Sequence, residues 1–128
     1  MRYILLFLSG IVVFASCNNP APKSAAGEPA TCYTGKLVKK GICGHYVVEM
    51  LSPAVNTIKV ERSWRDSFSS KDYKNVFAVG NPCQFPDAIN ENEEFLFELA
   101  SSVQQDCIRC EAYTPVPRTS NFILVCGK

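Results

Sequence analysis

Cysteine usage constrains this chain more than any other feature. The 128 residues contain seven cysteines, an odd number. Six of them, Cys32, Cys43, Cys83, Cys107, Cys110 and Cys126, are spread from residue 32 almost to the C-terminus, and Cys17 stands apart from them across residues 18–31. An even set of cysteines in a small domain reads as a disulfide framework, which persists only in oxidising compartments outside the cytosol. A domain near 100 residues buries roughly 60–70% of its unfolded surface, so cross-links matter to it. Six thiols can pair fully, and the seventh needs a separate chemical fate.

The N-terminus supplies that fate. Met1 and Arg2 form a positive start, and Ile4 to Phe14 form an apolar run broken only by Ser9 and Gly10. This run is too short to span a hydrocarbon core of about 30 Å, which takes roughly 20 helical residues, but it has the length of a cleavable export signal. Phe14-Ala15-Ser16-Cys17 follows. It resembles the lipobox of bacterial lipoproteins, including the looser forms of Bacteroidota, with Phe14 standing where Leu is commoner. Val13 and Ala15 would also satisfy an ordinary signal peptidase; the odd cysteine favours the lipobox. The resemblance implies removal of residues 1–16, lipidation of Cys17 through its sulfur, and acylation of the new amino terminus. Two or more acyl chains anchor stably, at about 0.8 kcal/mol per buried CH₂.

Residues 17–31 read as the lipidated cysteine and a flexible tether, because Pro20, Pro22 and Pro29 among small residues resist helix and sheet. Fourteen such residues reach roughly 20 Å on average. Surface-exported lipoproteins of Bacteroidota carry an acidic cluster after the cysteine, whereas this tether has Glu28 alone. The resemblance therefore implies an inner- or outer-membrane anchor facing the periplasm. Residues 32–128 form the single domain. The net charge of +1 offers no field for nucleic acid. Residues 32–74 carry eight basic side chains, nine with His45, against four acidic, and residues 75–128 carry three against seven. The two halves are expected to attract one another.

Within the domain the pattern is that of strands. Tyr33–Lys39, Tyr46–Leu51, Thr57–Arg62, Asn75–Gly80 and Glu94–Leu99 are β-rich, and the last puts Phe95, Phe97 and Leu99 on one face. Glu111–Thr114 and Asn121–Cys126 bracket a Pro-rich turn and read as a closing hairpin. Ser63–Lys74 reads as a short helix or loop insertion. The expected fold is all-β, with about five to seven strands and disulfides holding it. In strand rhythm and cysteine use it resembles small OB-like barrels, including the netrin-like variety; a β-sandwich is the alternative. Netrin-like inhibitors act through a free amino-terminal cysteine, and Cys32 lies inside the mature chain.

The candidate sites are few. Cys107-Ile108-Arg109-Cys110 has redox spacing, but a redox pair opens a helix after a strand, and here a strand-like run follows. A zinc site would add Cys83, Cys126 or His45. Cross-linking is the simpler reading of all six cysteines, with Cys32–Cys126, Cys43–Cys83 and Cys107–Cys110 as the expected pairs among fifteen pairings. His45 is the sole histidine, so no nucleophile has an obvious base. It reads as a solvated turn residue. Glu91, Glu93 and Glu94 read as a polar turn rather than paired catalytic carboxylates. Trp64, within an aromatic set with Phe68, Tyr73 and Phe77, and Phe85, in the loop Asn81–Asp87, are the possible ligand contacts. No cofactor is expected. These readings converge on a lipid-anchored, non-enzymatic binding or structural module of the cell envelope with a protein or glycan partner. The alternative is a thiol–disulfide oxidoreductase or metal-binding protein using Cys107 and Cys110.

Overall fold

Two stretches of unbroken apolar sequence, Tyr46-Val47-Val48 and Val76-Phe77-Ala78-Val79, lie side by side at the centre of the structure. Alternation sends Val48 and Phe77 to one face of the sheet and Val47 and Val76 to the other, and all four are fully buried. The computed structural model describes residues 31–127 apart from Gln105 and Arg109. The expected signal, Cys17 and the tether up to residue 30 lie outside the described residues.

The strands are β1 (Tyr33–Lys40), β2 (Tyr46–Met50), β3 (Glu61–Arg65), β4 (Asp72–Val79), β5 (Glu94–Leu99), β6 (Ser120–Asn121) and β7 (Ile123–Val125). They make one sheet in the order β3-β4-β2-β1-β5-β7, with β6 paired to β4. The fold is the expected all-β one at the upper end of the strand count. A sandwich would need two separate sheets, and all seven strands share one. Followed along the ladders, the path runs from β4 through β2, β1 and β5 to β7, then across Phe122 to β6 and back to β4.

The inner face gathers Leu37, Val48, Phe77, Phe97 and Ile123, with Phe85, Ile89 and Ile58 folded in from loops. Gly35 is required where it stands, since a Cβ there would lie 2.8 Å from Val48 and 3.0 Å from Phe97. On the outer face Val38, Val47 and Val76 form a second cluster under Trp64, Tyr73 and Val116. Val38 reaches it through an irregularity between Leu37 and Lys39, where β1 has one residue more than β2.

Several expectations change. The strand foreseen at 57–62 begins only at Glu61, because the Asn121 side chain takes over at Lys59, accepting from its N–H and donating to its carbonyl. Ser63–Lys74 is no helix. It is the tip of a β3–β4 hairpin in which Trp64 pairs and stacks with Tyr73. Asp66 organises that tip by accepting from the Phe68 amide and the Ser69 hydroxyl. Glu111–Thr114 is not a strand. The foreseen closing hairpin is replaced by parallel pairing of β6 on β4.

Cys32–Cys126 forms as expected, with Cα atoms 6.5 Å apart. The other two expected pairs do not. Cys43 bonds Cys110 and Cys83 bonds Cys107, with Cα separations of 5.3 and 5.5 Å. The reason is geometric. Cys43 and Cys83 each sit in a short 3-10 turn, Ile42–Gly44 and Pro82–Gln84. Cys107 and Cys110 lie in one connection, and each meets one of these turns at a Cα separation inside the usual disulfide range.

The hairpin tip is locked to β1 by an ion pair between Lys39 and Asp66, 2.9 Å long, with side chains 13% and 4% exposed. Burial alone would raise the Asp66 carboxyl. The Lys39 ammonium, the Ser69 hydroxyl and the Phe68 amide outweigh it and hold the group below its ordinary value. A lowered folded-state pKa gives stability that is present above the unfolded value near 4 and is lost as pH falls through the folded one. Lys39→Ala should cost about 3 kcal/mol by leaving a buried carboxylate unpaired. Denaturant titrations across acid pH should show a shallower acid limb in Asp66→Asn. A second test compares cross-links. Cys32 and Cys126 are 94 residues apart, and Cys83 and Cys107 are 24 apart. Replacing the first pair by Ser should destabilise about 1 kcal/mol more than replacing the second.

Candidate functional site

Three irregular segments converge beyond the C-terminal end of β1: the turn 41–45, the loop 80–87, and the long connection 101–119. The first is tightly built. Gly41 donates its N–H to the His45 carbonyl at 2.9 Å, and Cys43 and Gly44 both have positive φ, 61° and 74°. A left-handed non-glycine residue stores roughly 1–3 kcal/mol of strain, which the surroundings must hold. Here they do so through the Cys43–Cys110 bond and the packing of Gly44 on Pro82, where a Cβ would lie 2.8 Å from the ring. Cys83–Cys107 fastens the same connection to the second loop.

Two clefts open along this rim, and Gly44 and Tyr46 border both. One, of about 360 Å³, is lined by His45, Ala78, Val79, Val116, Arg118 and Ser120 among others. The other, of about 280 Å³, is lined by Cys43, Pro82, Cys83, Asp87, Cys107 and Ile108 among others. A smaller apolar crevice lies elsewhere, between Met50, Val55, Ile58 and Val60. The wall between the rim clefts is fixed by Tyr46, whose hydroxyl donates to Asp87 Oδ1 at 2.7 Å. Lys40 Nζ in turn donates to the carbonyls of Asp87 and Ile89.

The sequence candidates fall in different places. Phe85 is not a contact residue: it is 5% exposed and packs on Tyr46 and Phe95 in the core, turned inward by the 3-10 turn before it. Trp64 is half-buried, stacked on Tyr73 with Lys39 Nζ 5.6 Å from its ring centre. The exposed aromatics nearby are Phe68 and Tyr113, in edge contact at 6.0 Å. Glu91 and Glu93 accept from the backbone N–H groups of Lys40 and Asn90, as a polar turn requires. Cys107 and Cys110 bond to separate loops. Among the described residues no group of three His, Cys, Asp or Glu side chains is gathered for a metal.

His45 proves more than a solvated turn residue, because it borders the larger cleft with Nδ1 2.7 Å from the Ile42 carbonyl. Sequence reasoning missed Tyr46 and Arg118, which sit in a strand and a Pro-rich turn without any local signal of a site. It also missed Thr114, whose buried hydroxyl has no hydrogen-bond partner among the described residues. Its neighbour across the fold is Gly41, where a Cβ would lie 2.8 Å from the Thr114 methyl.

Burial, and then the Asp87 carboxylate beside it, push the Tyr46 phenol from 10.0 up to about 12. An ultraviolet titration should therefore find the Tyr46 phenol ionising near pH 12 rather than near 10. Asp87→Asn should lower its pKa without restoring the ordinary value, since burial is the larger cause. The chain matches no family model, no curated protein and no solved structure, so the site is read from its own geometry.

Proposed function

We propose that this chain is a bacterial envelope lipoprotein, anchored through lipid on Cys17, whose disulfide-held β-domain is a non-enzymatic binding module. The domain faces the periplasm from the inner or outer membrane and takes an envelope protein or glycan as partner. The observation that carries the binding reading is the double fastening of one irregular connection, through Cys107 and Cys110, to two different turns. Such fastening holds the irregular side of two clefts against the strand ends that form their other side, and preformed recesses bind at lower entropic cost. Three cross-links are consistent with export to an oxidising compartment. Among the described residues no helix is long and apolar enough to cross a membrane, so retention there would rest on the anchor.

The alternative, redox or metal chemistry at Cys107 and Cys110, needs the two sulfurs to act together. They are held instead by partners on separate loops.

The anchor is tested by fractionation. Wild-type chain should sediment with membranes, and Cys17→Ser should move it to the soluble fraction, with loss of label from radioactive palmitate. An unchanged membrane fraction would remove the lipoprotein reading.

A further inference from the structure

The larger rim cleft has a one-sided charge. Among its lining residues His45 and Arg118 are basic, and none is acidic. The carboxylates of the neighbouring elements are engaged elsewhere. Asp87 accepts from Tyr46, and Glu61 accepts from the backbone N–H groups of Arg118 and Thr119. That last contact positions the Arg118 backbone while leaving its guanidinium with no hydrogen bond or ion pair among the described residues. The remaining cation nearby, Lys40, is turned onto the carbonyls of Asp87 and Ile89. The rest of the lining is short and apolar, from Ala78, Val79, Val116 and Pro117, with the Ser120 hydroxyl.

We infer that this cleft is a binding site for a small organic carboxylate, paired with the Arg118 guanidinium and laying its apolar part on Ala78 and Val116. A guanidinium matches a carboxylate with two parallel hydrogen bonds. His45 adds a second contact. Its Nδ1 is tied to the Ile42 carbonyl, and Nε2 is the ring nitrogen with no partner among the described residues. A carboxylate at Nε2 would accept a hydrogen bond from the doubly protonated ring. The charged or titratable groups that share the cleft with His45 are Tyr46 and Arg118, and only Arg118 is a cation able to share the anion. The inference gives a ligand class to the binding rim of the proposed function and rests on that reading, though not on the lipid anchor. The carboxylate is either a free small acid or the C-terminal carboxylate of a peptide.

His45 is the only histidine, so a single imidazole signal reports the cleft in the full chain held in detergent. N-acetylalanine stands for the free acid, its carboxamide for the uncharged control, and a tripeptide ending in alanine for the peptide terminus. N-acetylalanine or the tripeptide should shift the His45 resonances saturably, and whichever binds tighter identifies the source. The carboxamide should produce no saturable shift. Arg118→Gln removes an exposed side chain without touching the backbone bonds to Glu61, and should weaken binding about tenfold with the other resonances unmoved. No shift with either acid, an equal shift with the carboxamide, or undiminished binding in Arg118→Gln would overturn the inference. The titration reads the cleft alone, so its failure leaves membrane retention through Cys17 standing, and the converse holds.

Discussion

Strands β2 and β4 are apolar on both faces, and most of the remaining architecture follows from the need to cover the second one. An antiparallel sheet ordinarily leaves one face to water and advertises this by alternating polar residues. Here Val47 and Val76 are as buried as Val48 and Phe77. The cover comes from two directions, the β3–β4 hairpin with Trp64 and Tyr73, and the connection that brings Val116. Neither has an apolar interior of its own. Each is therefore secured at its far end, the hairpin by the Lys39–Asp66 pair and the connection by the Cys107 and Cys110 cross-links. Lys39 joins the two arrangements, because its ammonium also donates to the Pro115 carbonyl at 3.1 Å.

A second problem arises where the C-terminal segment leaves β4 and takes up β5. Backbone groups at such a transfer lose their ladder partners and are costly to bury unpaired. Two asparagines stand in for the missing strand. Asn81, fully buried, accepts from the Ile123 N–H and donates to its carbonyl, at 2.9 and 2.8 Å. Asn121 does the same for Lys59. An amide side chain is the one group that carries both halves of a peptide's hydrogen-bonding pattern. These two residues let β6 and β7, separated by Phe122 alone, belong to different neighbours.

What the sequence disclosed and what it hid divide along this line. β1, β2 and β5 were legible because their periodicity is local, and the face of Phe95 and Phe97 is where alternation puts it. The Cys32–Cys126 link was legible because both residues flank the ends of the domain. The double burial of β2 and β4 was written in their unbroken apolar runs, although which segment would cover them was not. The β3 boundary, the parallel β6 and the pairing of the inner cysteines depend on residues 24 to 67 positions apart or more, for which no local pattern exists. Phe85 illustrates the limit. Flanked by prolines it resembles an exposed loop tip, and only the preceding 3-10 turn decides that it faces the core.

The position of the rim also bears on how the proposed anchor and the proposed site would work together. The described chain enters at Thr31 and Cys32, which the Cys126 bond ties to the edge of β5 beside Leu96. The rim begins at Gly41, one full strand further along. Eight residues of β1 at about 3.3 Å each put the two roughly 25 Å apart. The cross-link at Cys32 has a mechanical consequence as well. Pull applied through the proposed tether would be delivered to β1 and β7 together, on both sides of β5. Under the proposed reading, the Cys32–Cys126 bond would hold the domain end against such a load while the rim lies at the opposite end of β1.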